Sequence, residues 1–106
     1  MKAVIALGSN LGEPKENLDL AIGLLREATD VQKVSNYYVT KPVGYEDQPD
    51  FVNAVCIIET ELPAIDLLNM LHGIEKAMGR ERTIKWGPRT LDLDIIQYGS
   101  MLSSAE

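Results

Sequence analysis

Cysteine is almost absent from this sequence, and other features typical of whole protein classes are missing too. Cys56 is the single cysteine among 106 residues, so no intramolecular disulfide can form. Its place in the apolar run 51–58 predicts a core residue of a protein in the reducing cytoplasm. No apolar run approaches the roughly 18 residues that a membrane span needs. The opening run 1–7 is too short for a signal peptide and predicts a first strand instead.

Positive charge is scarce overall but concentrated in one segment. The net charge of −6 at pH 7 argues against broad contact with nucleic acid, because that binding needs a basic surface. Half of the 10 lysines and arginines nevertheless lie between residues 76 and 89. Lys76 suits a helix C-terminus, where a cation interacts favourably with the helix dipole. The arginines that follow it predict a local anion site that fits a small polyphosphate.

A Walker-type phosphate loop is missing as well. Residues 8–12 read Gly-Ser-Asn-Leu-Gly and contain no lysine at the required place, so they predict a plain tight loop. If a nucleotide binds this protein, arginines and metal must therefore hold its phosphates.

The pattern of apolar and turn-forming residues predicts a single α+β domain over residues 1–106. Strands are predicted over 3–7, 31–40, 51–61 and from about 91, with helices over 14–29 and 63–78. The predicted buried positions of the helices are Leu18, Ala21, Ile22, Leu25 and Ala28, then Ile65, Leu67, Leu68, Leu71, Ile74 and Met78. Gly79 is expected to end the second helix. The order βαββαβ is that of the ferredoxin-like fold, an antiparallel sheet with two helices packed on one face.

Two acidic residues stand at alternate positions in the last predicted strand. Side chains two apart in a strand point to the same face, so Asp92 and Asp94 converge while Leu91, Leu93 and Ile95 point the other way. Two adjacent carboxylates repel each other unless they are solvated or share a cation, and such hard oxygen ligands suit Mg²⁺ better than zinc. A solvated edge strand and a magnesium site are both compatible with this spacing.

Three segments of the chain together resemble a known enzyme family. They are Ala-Leu-Gly-Ser-Asn-Leu-Gly at 6–12, Asp-Gln-Pro-Asp-Phe-Val-Asn-Ala at 47–54, and Gly-Arg at 79–80 with Arg82 and Trp-Gly-Pro-Arg-Thr-Leu-Asp-Leu-Asp-Ile at 86–95. In order and spacing they resemble 6-hydroxymethyl-7,8-dihydropterin pyrophosphokinase of folate biosynthesis. The resemblance implies transfer of the terminal diphosphate of ATP to the hydroxymethyl oxygen of the pterin, with release of AMP.

The resemblance also implies roles for residues around the phosphates. Asp92 and Asp94 would bind two Mg²⁺ ions, one of which touches the pterin hydroxyl. Arg80 and Arg82 would lie on a mobile loop that closes over the triphosphate, while Arg89 contacts the phosphates from the strand. The other expected nucleotide contacts are Glu75, Trp86 and Ile95. The alternative interpretation of Glu75 is a solvated acid on a helix. The alternative interpretation of Trp86 is ordinary packing.

The resemblance also implies residues that bind the face and the edge of the pterin ring. Phe51 would stack on the ring, and Asn53 would hydrogen-bond its edge, together with the backbone at Thr40, Pro42 and Val43. Asn53 also stands out without the resemblance, because an asparagine within an apolar strand costs stability unless it is hydrogen-bonded. Tyr37 and Tyr38 are interpreted as strand packing, and His72 as an exposed helix residue.

The family pattern continues past the Asp-x-Asp strand, through a segment with a His-Pro pair that these 106 residues do not contain. Two other functions stay open. A metal-dependent nucleotidyltransferase could use the same acidic pair but would release pyrophosphate. A noncatalytic module of the same descent could instead bind nucleotide or pterin, or self-associate through an exposed sheet surface.

Overall fold

The computed structural model describes residues 1–42, 47–79 and 91–102. For residues 101 and 102 it describes the backbone only. Within these ranges the elements are β1 (Lys2–Ser9), α1 (Pro14–Ala28), β2 (Asp30–Val34), β3 (Tyr38–Thr40), β4 (Phe51–Glu59), α2 (Ala64–Ala77), β5 (Asp92–Tyr98) and β6 (Met101–Leu102). The predicted order of strands and helices is confirmed, with one strand divided and one short strand added.

All strand pairs of the sheet are antiparallel, and β1 lies at its centre. The order is β2-β4-β1-β5-β6, and β3 pairs with the other end of β4. Helix α1 packs against β1, β2 and β4, while α2 packs against β5. This is the α+β arrangement of the ferredoxin-like fold, with both helices on one face.

The core lies between the two helices and the face of the sheet on which they pack. Alternate residues of the central strands are buried, as period-two patterning requires, and the helices add apolar side chains above them. The completely buried large side chains are Ile5, Ile58, Leu91, Leu18, Leu25, Leu67 and Leu71. The opposite face of the sheet carries no helix within the described ranges, and we call it the open face.

Two predicted core positions are wrong. Ile65 is 62% exposed because it lies in the first turn of α2, on the side that faces away from the sheet. Ala28 is also exposed, since it ends α1 beyond the last buried residue of that helix. Gly79 follows α2 with a φ of 83°, a left-handed conformation that glycine adopts without steric cost, so the predicted helix end is confirmed.

The strand predicted over 31–40 is divided between β2 and β3. Ser35 accounts for the division, because its hydroxyl accepts the Val55 N–H at 2.9 Å in place of a main-chain carbonyl. The Ser35 N–H in turn donates to the Val55 carbonyl at 2.8 Å. The predicted loop at 8–12 also begins later than expected, because Gly8 and Ser9 still pair with β4.

Cys56 is buried in the core, with 1% of its surface exposed, and burial raises the pKa of its thiol to about 11. The thiolate is the reactive form, so we expect Ellman's reagent to label the native protein very slowly at pH 8. In guanidinium chloride the same thiol should react completely within minutes. Rapid stoichiometric labelling of the native protein would contradict this placement of Cys56.

Neither of the helices in the described ranges has the length and apolarity to cross a membrane.

Candidate active site

The open face carries two rows of side chains that cross neighbouring strands. Directly opposed residues of antiparallel strands project to the same side, so the strand register defines each row. The first row runs Tyr38, Asn53, Gly8, Asp92 across β3, β4, β1 and β5. The second row runs Val55, Ala6, Asp94. Both rows therefore have a very small residue at the centre and a carboxylate at the β5 end.

Asp92 and Asp94 occupy the same side of β5, as their spacing predicts. Asp92 is half-buried and Asp94 exposed, whereas Leu91 and Leu93 point into the core with 0% and 2% exposure. Their neighbours on β1 are Gly8 and Ala6. Because these neighbours have no side chain or only a methyl group, space next to the two carboxylates is left open to a ligand.

The carboxylate pair has the chemistry of a magnesium site that a ligand completes. Among the described residues there is no group of three or more His, Cys, Asp or Glu side chains that could enclose a metal ion. Mg²⁺ commonly binds through one or two carboxylates, substrate phosphates and water rather than in an all-protein cage. Asp92 and Asp94 fit that kind of site.

Asn53 is oriented by hydrogen bonds at the other end of the first row. Its Nδ2 donates to Thr40 Oγ1 at 2.8 Å, with a longer contact of 3.4 Å to the Tyr38 carbonyl. With Nδ2 engaged in this way, Oδ1 is directed toward β1. Phe51, which is paired with Thr40, lies on the same side of β4.

Gly8 makes room for these two side chains. A Cβ atom at this position would lie 3.1 Å from Asn53 Oδ1 and 3.8 Å from Phe51 Cδ1. The first of these distances is shorter than an ordinary van der Waals contact, so any larger residue would displace the Asn53 amide. Gly8 is therefore required for this close approach and not for a turn.

Asn10 joins the end of β1 to the segment that precedes β4. Its Nδ2 donates to Gln48 Oε1 at 2.7 Å and to the Pro49 carbonyl at 3.0 Å, and the residue is 1% exposed. Ser9 accepts a hydrogen bond from Asn17 Nδ2 at 3.0 Å. The Gly-Ser-Asn motif thus fixes the backbone beside the open face, which is more than the plain turn predicted for it.

Glu75 lies inside the protein on α2. Only 5% of its surface is exposed, and its Oε2 accepts the backbone N–H of Leu93 at 2.7 Å. The alternative interpretation as a solvated helix acid is therefore wrong. Leu93 stands between Asp92 and Asp94, so this carboxylate contacts the strand that carries the acidic pair.

The structure brings part of the predicted site together. Asp92, Asp94, Phe51, Asn53 and Thr40 share the open face, and Pro42 is half-buried just beyond β3. Ile95 pairs with buried Ile5 and packs against the core, so its side chain is on the opposite face and its nucleotide contact stays a prediction. The other predicted residues lie outside the described ranges: Val43, Arg80, Arg82, Trp86 and Arg89.

The neighbouring tyrosines Tyr37 and Tyr38 differ in exposure, which the sequence pattern did not predict. Tyr37 packs as expected: its hydroxyl donates to Asp19 Oδ1, and burial, with that hydrogen bond, raises its pKa to about 12. Tyr38 was also interpreted as packing, and this is wrong, because it is 47% exposed in the first row of the open face. Its spacing of two from Thr40 was the signal that could have revealed this.

Known proteins are similar to this chain over most of its length. The family model of 7,8-dihydro-6-hydroxymethylpterin-pyrophosphokinase (HPPK) matches residues 4–104. Proteins named 2-amino-4-hydroxy-6-hydroxymethyldihydropteridine pyrophosphokinase are similar over most of the chain. The one from Haemophilus influenzae is 48% identical over 106 residues, which is 98% of this chain. Those from Pseudomonas aeruginosa and Bacillus subtilis are 44% and 48% identical over 95% and 91% of it.

The chain spans 66%, 64% and 59% of the lengths of these three relatives. The match nevertheless includes both the acidic pair of β5 and the Phe51 and Asn53 segment, since the family model extends from residue 4 to residue 104. The chain belongs to the 7,8-dihydro-6-hydroxymethylpterin-pyrophosphokinase family.

Proposed function

We propose that the chain transfers the terminal diphosphate of ATP to the hydroxymethyl oxygen of 6-hydroxymethyl-7,8-dihydropterin in a Mg²⁺-dependent reaction that releases AMP. The observation that carries the proposal is the first row of the open face. Asn53 and Asp92 lie on either side of Gly8, two strand spacings or about 10 Å apart. A flat bicyclic ring held at Asn53 would direct its hydroxymethyl group toward the carboxylates.

The β4 end of the open face would bind the pterin. Phe51 offers an aromatic face for stacking, and the Asn53 amide offers Oδ1 as an acceptor for the ring edge. Because Asn53 Nδ2 donates a hydrogen bond to Thr40 Oγ1 at 2.8 Å, the amide is held before the ligand arrives. The backbone at Thr40, Pro42 and Val43 would complete the edge contacts.

The β5 end would bind the phosphates through metal. Asp92 and Asp94 are the residues that would hold the Mg²⁺ ions. When bound there, Mg²⁺ neutralises phosphate charge and lowers the pKa of a nearby hydroxyl. The two carboxylates fix the position of the triphosphate relative to the pterin, so that the attacking oxygen and the leaving AMP can be held in line.

The remaining phosphate charge requires cations from elsewhere in the chain. The described side chains of the two rows include no lysine or arginine. Arg80, Arg82 and Arg89 are the proposed partners, because each guanidinium offers a planar fork of donors and keeps its charge at working pH. Glu75, Trp86 and Ile95 are the further nucleotide contacts that the family resemblance implies.

Product analysis tests the proposed function. The protein is incubated with ATP, Mg²⁺ and the pterin alcohol, and the nucleotides are separated by ion-exchange chromatography. The proposal predicts AMP and a pterin diphosphate in equal amounts, and no AMP when the pterin is omitted. Pyrophosphate with a nucleotidylated product would identify a nucleotidyltransferase, and binding of both substrates without turnover would identify a noncatalytic module.

Gly8→Ala should weaken pterin binding selectively. The added methyl group would lie 3.1 Å from Asn53 Oδ1 and displace the amide, and loss of a well-placed hydrogen bond to the pterin edge costs about 1–3 kcal/mol. We therefore expect the KM for the pterin to rise about tenfold while the KM for ATP changes little. Gly23→Ala is the matched control, since a Cβ on this glycine of α1 meets nothing within 4 Å. Equal pterin affinity in the two variants would show that pterin binding does not depend on the present position of the Asn53 amide.

A further inference from the structure

The backbone between the two aspartates is supported from outside the sheet. Asp92 pairs with Gly8, Leu93 with Leu7 and Asp94 with Ala6 across the β1–β5 boundary. On the other side of β5, β6 pairs only with Gln97 and Tyr98. At Leu93 the outer edge of β5 is therefore not paired with any strand in the described part of the chain.

Main-chain amides point alternately to the two edges of a strand in an antiparallel ladder. The Leu93 N–H donates to Glu75 Oε2 at 2.7 Å, so this amide points away from β1. The amides of Asp92 and Asp94 then point toward β1. Glu75 supplies the hydrogen bond that a further strand would otherwise provide at Leu93.

Burial makes this hydrogen bond strong and specific. Glu75 is 5% exposed and Leu93 is 2% exposed, so water does not readily replace either partner. A hydrogen bond to a carboxylate in such surroundings is shorter and stronger than one between neutral groups. Loss of the acceptor would leave a buried N–H unsatisfied, which the strand could relieve only by moving.

We infer that Glu75 is a positioning residue for the metal-binding pair: its carboxylate fixes the Leu93 amide and thereby sets the direction of Asp92 and Asp94 on either side of it. This inference rests on the proposed function, in which those aspartates hold Mg²⁺. It assigns Glu75 a role through the strand backbone, in addition to any contact with the nucleotide. Outer groups that orient metal ligands typically affect metal affinity by about 10–100-fold.

Two conservative substitutions separate the geometry of Glu75 from its charge. Glu75→Gln keeps the length of the side chain and an acceptor oxygen but removes the charge. Glu75→Asp keeps the charge but shortens the side chain by one methylene, so that the carboxylate no longer reaches Leu93. Glu27→Asp is the control, because Glu27 is an exposed glutamate of α1.

The first readout is hydrogen exchange of the Leu93 amide followed by NMR. We expect this amide to be protected in the wild type and in Glu75→Gln, and to lose its protection in Glu75→Asp. The amides of Ile5 and Leu7 in β1 report whether the sheet itself is intact. Retained protection of Leu93 in Glu75→Asp would overturn the assigned hydrogen bond.

The second readout is Mn²⁺ affinity, measured by electron paramagnetic resonance in the presence of a nonhydrolysable ATP analogue. We expect Glu75→Asp to weaken Mn²⁺ binding by about tenfold or more and Glu75→Gln to stay within about threefold of the wild type. If Glu75→Gln lowers Mn²⁺ affinity as much as Glu75→Asp does, the charge of Glu75, and not its hydrogen bond to Leu93, controls metal binding. If Asp92→Asn weakens Mn²⁺ binding and Glu75→Asp does not, the inference fails while the proposed function stands. If Asp92→Asn has no effect, the proposed function itself fails.

Discussion

Asp92→Asn and Asp94→Asn are each expected to lower kcat for AMP formation by at least ~10²-fold. Asparagine keeps the size of the side chain and one oxygen but removes the negative charge that would attract Mg²⁺. Both residues lie on the open face of β5, opposite Gly8 and Ala6, so neither contributes to the core. The free energy of unfolding should therefore change little, which separates a lost site from a lost fold. Initial rates at saturating ATP and pterin, with thermal unfolding of each variant, measure the two effects.

Asp30→Asn is the matched control for this pair. Asp30 is an exposed strand aspartate that pairs with Glu59, whereas Asp92 and Asp94 are aligned with Gly8 and Ala6, at the other end of β1. Its substitution should leave kcat unchanged. The double variant Asp92→Asn/Asp94→Asn should lose little more activity than either single variant, because groups that act as one unit are not additive. Full turnover in a single variant would remove the substituted residue from the proposed metal site.

Arg82→Ala is expected to slow chemistry far more than it weakens ATP binding. The transferred diphosphate carries its most concentrated charge in the transition state. A cation that contacts it there stabilises the transition state more than the ground state. Loss of one such group typically costs about 10²–10³-fold in rate. We therefore expect kcat to fall by about that factor, with a change of less than about tenfold in the Kd for an ATP analogue.

Arg82→Lys extends this test, because lysine keeps the charge but loses the planar fork of donors. Partial recovery of kcat relative to Arg82→Ala is expected. Single-turnover measurements should be used, so that a slow product release does not hide the chemical step. A loss confined to ATP affinity in both variants would assign Arg82 to binding alone.

Much of the fold could be predicted because local patterns and tertiary burial agree. The helices were placed correctly by their 3.6-residue apolar spacing, and the alternation around Leu91, Asp92 and Leu93 correctly predicted which side chains face the core. What failed depended on contacts between distant residues. Ser35 divides a strand because its hydroxyl accepts a hydrogen bond from the Val55 N–H. The β-prone residues around Ser35 do not predict this distant partner.

The candidate site was predictable in its composition but not in its arrangement. Strand spacing and family motifs pointed to Asp92, Asp94 and Asn53, whereas only the strand register shows that Gly8 lies between Asn53 and Asp92. Glu75 illustrates the same limit: its residue type on a helix is compatible with solvent exposure. Its burial and its hydrogen bond to Leu93 depend on how α2 packs against β5.

The number of divalent ions bound together with nucleotide tests the proposed role of Asp92 and Asp94 most directly. Mn²⁺ can be titrated into the protein with a nonhydrolysable ATP analogue and the pterin alcohol, and counted by electron paramagnetic resonance. We expect two bound ions per chain, with that binding lost in Asp92→Asn/Asp94→Asn and kept in Asp30→Asn. Unchanged number and affinity of bound ions in the double variant would contradict this role.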